Sequence, residues 1–395
     1  MKPIIVFLTI AALLSFPCVS TGQGPDDLFK SGRISLIQEL RVTDKDLPEN
    51  ALFQNPRSVA IDSRGSVYVS DFDANHIKVF NPNGKFLKTI GRQGQGPGDL
   101  SGPSCIEISG ERIVVWEAMN RRFSILDMKG ALIRTAKGVH GPQGDLLRLK
   151  ALPDGRFVAF VEKGLPEGFQ GRLPEERHYA VLLLTADLEL KTTIYEQKIA
   201  NRRWTRHPET KGLIQIGFPY HPRIDADISP QGTVAIGLNQ SYDIGLFDPD
   251  KGRIAAASRP YTPIKLEERD KQDHFSQFRM VVFTEGEKRI VNRAPDYFVK
   301  GTEFPDVLPP YRNLIFDGRG RLWVQVFTPE RATNVFDIFD AAGRFLNRIT
   351  IEGAAVDANF ASAFEKRFAG DSLWKIERDA DGFASLVKYR LSSAK

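Results

Sequence analysis

From residue 56 onwards, short apolar stretches alternate with clusters of turn-forming residues. Val59 and Ile61, Val67 and Val69, and Ile77 and Val79 alternate with small or polar neighbours, and Phe86, Leu87 and Ile90 form a fourth, looser stretch. A period of two marks strands with one buried face. Between the stretches, Asp62 to Gly65 and Asn81 to Gly84 supply the residue types that adopt positive φ in tight hairpins. Residues 56–91 therefore predict a four-stranded antiparallel meander.

The layout returns at about 103–138, 146–197, 221–259, 311–351 and 360–392. The copies are visible in Cys105 to Ile108 with Arg112 to Trp116, in the turn Pro153 to Gly155, in Ser229 to Gly232, and in Gly318 to Gly320 before Leu322 to Val326. Self-similarity at ~40 to 50 residues is the mark of propeller blades. The last copy lacks a final strand, while Ile34 to Val42 is an alternating strand ahead of the first copy. Pairing residues 34–42 with the final blade would close the ring and remove an open edge. The expected fold is all-β: a six-bladed β-propeller of four-stranded antiparallel blades, occupying 33–392 as one domain, with the N-terminal strand closing the last blade. Leu266 to Met280, charged and helical in period, predicts one short helix between blades 4 and 5.

The first copy runs Pro56…Asp62…Gly65…Val67 to Asp71…Asn75-His76-Ile77…Gly84. It resembles the NHL repeat, a family named for an Asn-His-Leu triplet, and later copies keep the turn glycines while replacing the triplet. The whole layout is similar to bacterial exported six-bladed propeller proteins of unassigned function. The resemblance implies the fold and a habit of binding at the central mouth. NHL-like propellers include protein-binding and RNA-binding modules and the peptidylglycine amidating lyase, and calcium-dependent lactonases share the six-bladed shape. Fold alone does not choose among these.

Composition changes the picture little. Hydrophobic residues make up 42% of the chain and charged residues 26%, the balance of a folded soluble protein. The net charge of +5 carries no Lys/Arg block, so nucleic acid is not an expected partner. Lys2, the apolar run Ile4 to Leu14 and the small residues after it read as an export signal over 1–22. That run is roughly a dozen residues where a membrane span needs ~20, so no transmembrane segment is expected after signal removal. The protein is expected to be periplasmic or secreted, and a monomer. Lipidation of Cys18 is less favoured, because Phe16 and Pro17 precede it where a small residue is wanted. Cys105 is then the one remaining thiol, and packing must hold the fold without a disulfide.

Candidate chemistry is sparse. Counted back from the first-turn glycine, Arg57 and Arg312 occupy the same place, eight residues before Gly65 and Gly320, and Arg148 and Arg223 fall one position to either side. Gathered at one end of the axis, the four would form a positive mouth able to grip a carboxylate, phosphate or sulfate. The plainer reading is that each pairs with an acid of a neighbouring blade. His221 lies just before an inner strand, within reach of the mouth, whereas His76 belongs to a third strand and reads as structural. Glu107, Asp225 and Asp227 on inner strands are the weak candidates for metal, and without histidine they suit calcium at most. The insertion Glu162 to Arg177 and the segment Asn201 to Tyr220, with Trp204 among arginines, are the longest departures from the repeat. No nucleophile elbow, phosphate loop or Cys/His pair is present. The expectation is a non-catalytic extracytoplasmic binding or scaffold propeller without a cofactor, engaging a protein, peptide or anionic small ligand. The alternative is a calcium- or zinc-dependent hydrolase, lactonase or lyase with its site on the axis.

Overall fold

The structure, a computed structural model, describes residues 27–94, 96–139, 144–164, 175–200, 202–206, 213–276, 280–284, 287–291, 293–352, 366–379 and 381–393. For 27, 202–206, 213–215, 217, 280–284 and 287–291 it describes the backbone alone. The expected export signal, Cys18, His140 and His207 lie outside the described residues.

Six antiparallel blades form the chain, and in the first five the strands follow one another in sequence order from the axis outwards. Blade 1 holds Pro56–Ile61, Val67–Asp71, His76–Phe80 and Phe86–Ile90. Blade 2 holds Pro103–Ser109, Arg112–Glu117, Arg122–Asp127 and Leu132–Lys137. Blade 3 follows with Asp145–Ala151, Phe157–Glu162, Glu176–Leu184 and Leu190–Ala200, and blade 4 with Ile224–Ile228, Val234–Leu238, Asp243–Asp248 and Gly252–Ser258. Blade 5 holds Tyr311–Phe316, Leu322–Val326, Val335–Phe339 and Phe345–Glu352.

Blade 6 is built from both ends of the described chain. Lys366–Ala369, Ser372–Arg378 and Ala384–Ser393 supply three strands, and Arg33–Val42 pairs antiparallel with the third, from Ile34 opposite Ser393 to Val42 opposite Leu386. Residues 33–35 also run parallel to Thr350–Glu352, the end of blade 5, so blades 5 and 6 share one eight-stranded sheet. Gly32, at φ 70°, sits where blades 1, 2 and 5 carry an outer-turn glycine, Gly84, Gly130 and Gly343, and where blade 3 carries Leu188 at φ 63°. The innermost strand Lys366–Ala369 escapes the sequence pattern because it is four residues long and half charged.

Burial explains why these strands are not simply half apolar. Six hydrophobic clusters each draw side chains from two adjacent blades. In blade 3, Phe157, Ala159 and Val161 face blade 2, while Val158 and Phe160 face blade 4. A strand buried on both faces reads as a continuous apolar run. No blade can satisfy both faces alone, so the ring is the stable unit.

Antiparallel order places the two faces of the ring in opposition. One face carries the tight turns between first and second and between third and fourth strands. There Asp62, Asn81, Asp317 and Asp340 accept the N–H groups two and four residues on. The other face, where inner strands begin, carries every long connection. The segment 201–220, expected as a loop, instead contains a hairpin of Arg202–Arg206 with Leu213–Gly217. Between blades 4 and 5 lie the expected helix, Glu268–Ser276, a second hairpin of Met280–Thr284 with Glu287–Val291, and a short helix Asp296–Gly301. These short added elements have no partner within a blade, which is why periodicity does not announce them.

Candidate functional site

The innermost strand of a blade has one edge turned to the axis, with N–H groups no sheet neighbour can take. Here a polar side chain of the preceding blade takes them. Ser58 Oγ accepts Ile106 N at 3.2 Å, Asp225 Oδ2 accepts Leu314 N at 3.0 Å, and Asp227 Oδ2 accepts Phe316 N at 2.7 Å. Glu107 Oε2 reaches Ala151 N at 3.5 Å. Two arginines engage the three carboxylates. Arg148 Nη1 lies 2.9 Å from Asp227 and its Nη2 3.7 Å from Asp225, while Arg367 grips Glu107 through two hydrogen bonds of 2.7 and 2.9 Å. Lys150, deep in the same ring, has no ion-pair partner among the described residues. Burial, then the Arg367 charge, push its amine down to about 8. Burial also pushes the Cys105 thiol up, with Glu107 adding to it, which favours the neutral thiol.

The arginines sort by strand register. Each inner strand of blades 1, 2, 3 and 5 bulges at its second or third residue. Arg57 and Arg312 sit on the bulge and leave the ladder for the mouth. Each stacks on the first aromatic after the second strand: Arg57 over Phe72 at 4.8 Å and Arg312 over Phe327 at 3.8 Å. Arg148 falls one residue past the bulge, and with a period of two it turns into the axial ladder instead. The sequence count treated that offset as slack, but it decides which way the side chain faces. Arg223 precedes its strand and donates to the Arg312 carbonyl and the Asn313 side chain.

Around Arg312 the added segments gather. Tyr220, held at φ 61°, packs on Phe327, Phe304 and His274, and its hydroxyl donates to the Asp270 carbonyl of the helix. His221 stacks on Phe218, and burial holds its imidazole below the ordinary range. Burial likewise lowers the Arg312 guanidinium. Arg312 Nε and His221 Nε2 are buried with no hydrogen-bond partner among the described residues. Trp204 lies on the hairpin before His221, and its side chain is outside the described residues. The sequence pattern placed Arg57 and Arg312 at equivalent positions and His221 just before an inner strand. It missed the stacking aromatics Phe72 and Phe327, although both follow a second strand at the same offset.

The carboxylates Glu107, Asp225 and Asp227 are each engaged by a cation or a backbone N–H, and among the described residues no three His, Cys, Asp or Glu side chains gather as a metal site. The other histidines stand apart, His76 against Lys78 and His178 against Glu196. No described helix is long and apolar enough to cross a membrane.

Residues 46–138 match the family described as "6-bladed beta-propeller". No curated protein matches the chain. Among solved structures, a member of a family of unknown function from Bacteroides vulgatus is similar at 12% identity, covering 92% of this chain and 100% of that one, with a TM-score of 0.48. A protein of Bacteroides fragilis described as exported is similar at 10% identity over 92% of this chain and 95% of its own, with a TM-score of 0.46. The virginiamycin B lyase of Staphylococcus aureus is similar at 14% identity over 91% and 99%, with a TM-score of 0.36. Likenesses at this level carry no argument about chemistry. The blades, their order and the matched segment, which spans blades 1 and 2, agree: this chain is a six-bladed β-propeller.

Proposed function

We propose that this is a binding propeller, whose mouth on the long-connection face takes an anionic group of a small ligand, a peptide or a partner protein. The observation that carries the reading is the pair of buried nitrogens there, Arg312 Nε and His221 Nε2, that have no hydrogen-bond partner among the described residues. A buried N–H is normally satisfied, and a ligand oxygen would accept from Arg312 Nε, and from His221 Nε2 in the tautomer that carries its proton there. Arg57 provides a second stacked guanidinium at the equivalent position of blade 1, Arg223 braces the strand that carries Arg312, and the Trp204 hairpin stands at the same face. Arg148 is outside this set because its charge is already matched by Asp225 and Asp227. The protein would act outside the cytoplasm, by the leading segment over 1–22.

Thermal unfolding and proton NMR of the purified protein, titrated with phosphate, sulfate and a short acidic peptide, test this. At least one should raise the midpoint in the wild type and leave Arg57→Met/Arg312→Met unmoved. If none binds, and the protein instead hydrolyses lactones or esters in a chelator-sensitive way, the metal-enzyme reading replaces this one.

A further inference from the structure

A second cavity opens on the same face away from the axis, between blades 4 and 5, with a volume of about 590 Å³. It shares the Phe327 ring with the mouth but none of the mouth's charged groups. Pro260, Pro263, Pro309, Pro310 and Pro329 form much of its wall, so its shape is set before anything binds. Its floor is ionic. Asp337 is fully buried and accepts four hydrogen bonds: from Tyr242 Oη at 2.7 Å, Arg259 Nη1 at 3.0 Å, and Arg348 Nε and Nη2 at 2.7 and 3.0 Å.

Two guanidinium groups thus share one carboxylate, leaving a positive charge in surplus. Arg259 is held flat over Phe345 at 3.8 Å, and its Nε and Nη2, with Arg348 Nη1, have no protein acceptor among the described residues. The other cations of the lining divide clearly. Arg331 is neutralised by Asp270 at 2.8 and 2.9 Å, whereas Lys265 is exposed at the lip without an ion-pair partner among the described residues. Glu267, the lining carboxylate, is taken by Arg269 at 2.9 Å.

We propose that this groove binds a small organic carboxylate with an apolar, ring-bearing body, its carboxylate on the free N–H groups of Arg259 and Arg348 and its body against the prolines and Tyr261. The volume fits a small-molecule site, and a fixed pair of guanidinium forks fits a planar carboxylate. The surplus charge at the floor selects an anion, and the proline and tyrosine wall selects an apolar body over a hydrated one.

Fluorescence and saturation-transfer NMR with 2-naphthoate test this on the full chain, with 2-naphthalenemethanol as the uncharged control. Saturable binding of the acid and not the alcohol is expected. Arg348→Met should weaken it at least about tenfold, the factor a lost charge-assisted contact carries. Lys265→Met and Tyr261→Ala, both at exposed positions that leave Asp337 paired, should weaken it by smaller factors, and Arg312→Met at the mouth should not change it. Absence of binding, equal binding of the alcohol, or loss of binding in Arg312→Met would overturn the proposal, the last without bearing on the mouth's own ligand.

Discussion

Asp71 and Lys78 of blade 1 are both fully buried, 2.6 Å apart. Asp71 also accepts Gln54 N and Asn55 N, tying the incoming chain to the end of the second strand. Removing one partner of such a pair strands the other charge, so Asp71→Ala should lower stability by about 3–5 kcal/mol in urea unfolding. A loss under about 1 kcal/mol would show that the pair is dispensable. The adjacent His76 has Nε2 3.0 Å from Lys78 Nζ, and burial, then the Lys78 charge, hold it down to about 4 against an ordinary value of 6.5. Between those values the unfolded chain takes up a proton the folded chain refuses, so this histidine removes stability as pH falls from 6.5 to 4 and removes no more below. The melting-temperature gap between wild type and His76→Gln should therefore shift against the wild type over that range. Parallel curves would contradict the assignment. This node gives the Asn75-His76-Ile77 signature its physical meaning: Asn75 turns the corner at φ 54° and its side chain accepts Gly102 N of the next blade's approach. In blade 2 Arg121 takes the corner at φ 51° and Glu117 the role of Asp71, accepting Ser101 N, so the triplet is lost while its function stays.

At the scale of the element, the turns show which glycines matter. Gly343 has φ 80°, and a Cβ there would lie 2.4 Å from the backbone oxygen of Ala256 in blade 4. Gly155 has φ 85° with nothing within 4 Å of its Cβ position. Gly155→Ala should lose only the left-handed backbone term, about 1–2 kcal/mol, and Gly343→Ala distinctly more, because a backbone must move. Equal losses by calorimetry would mean that the outer turn does not dock on the neighbouring blade. The turns, strands and glycine positions were legible in the sequence because they depend on neighbours in the chain. The axial ladder was only half legible. Glu107, Asp225 and Asp227 could be placed on inner strands, but the N–H groups that donate to them, Ala151 N at 44 residues away and Leu314 N and Phe316 N at 89, lie in the next blade. Arg148 could not be told from Arg57 without the bulge. The cavity floor at Asp337 draws on blades 4 and 5 together, and nothing local marks it.

The molecule as a whole has no free sheet edge at its seam. Its repeat units would unfold piecemeal if the ring were open, since each would keep only nearest-neighbour contacts. Closure by residues from the start of the chain ties the first blade to the last, and the cluster of Val42, Val59, Val69, Trp374 and Leu386 packs across that joint. The proposed mouth depends on it, because Arg57 and Arg312 stand on blades 1 and 5, either side of the seam blade. Native-state hydrogen exchange followed by mass spectrometry tests the closure most directly. The account predicts that amides of Ile34 to Val42 exchange only with global unfolding, within about tenfold of those of Leu386 to Leu391. Fast, independent exchange of Ile34 to Val42 while the last strand stays protected would contradict it.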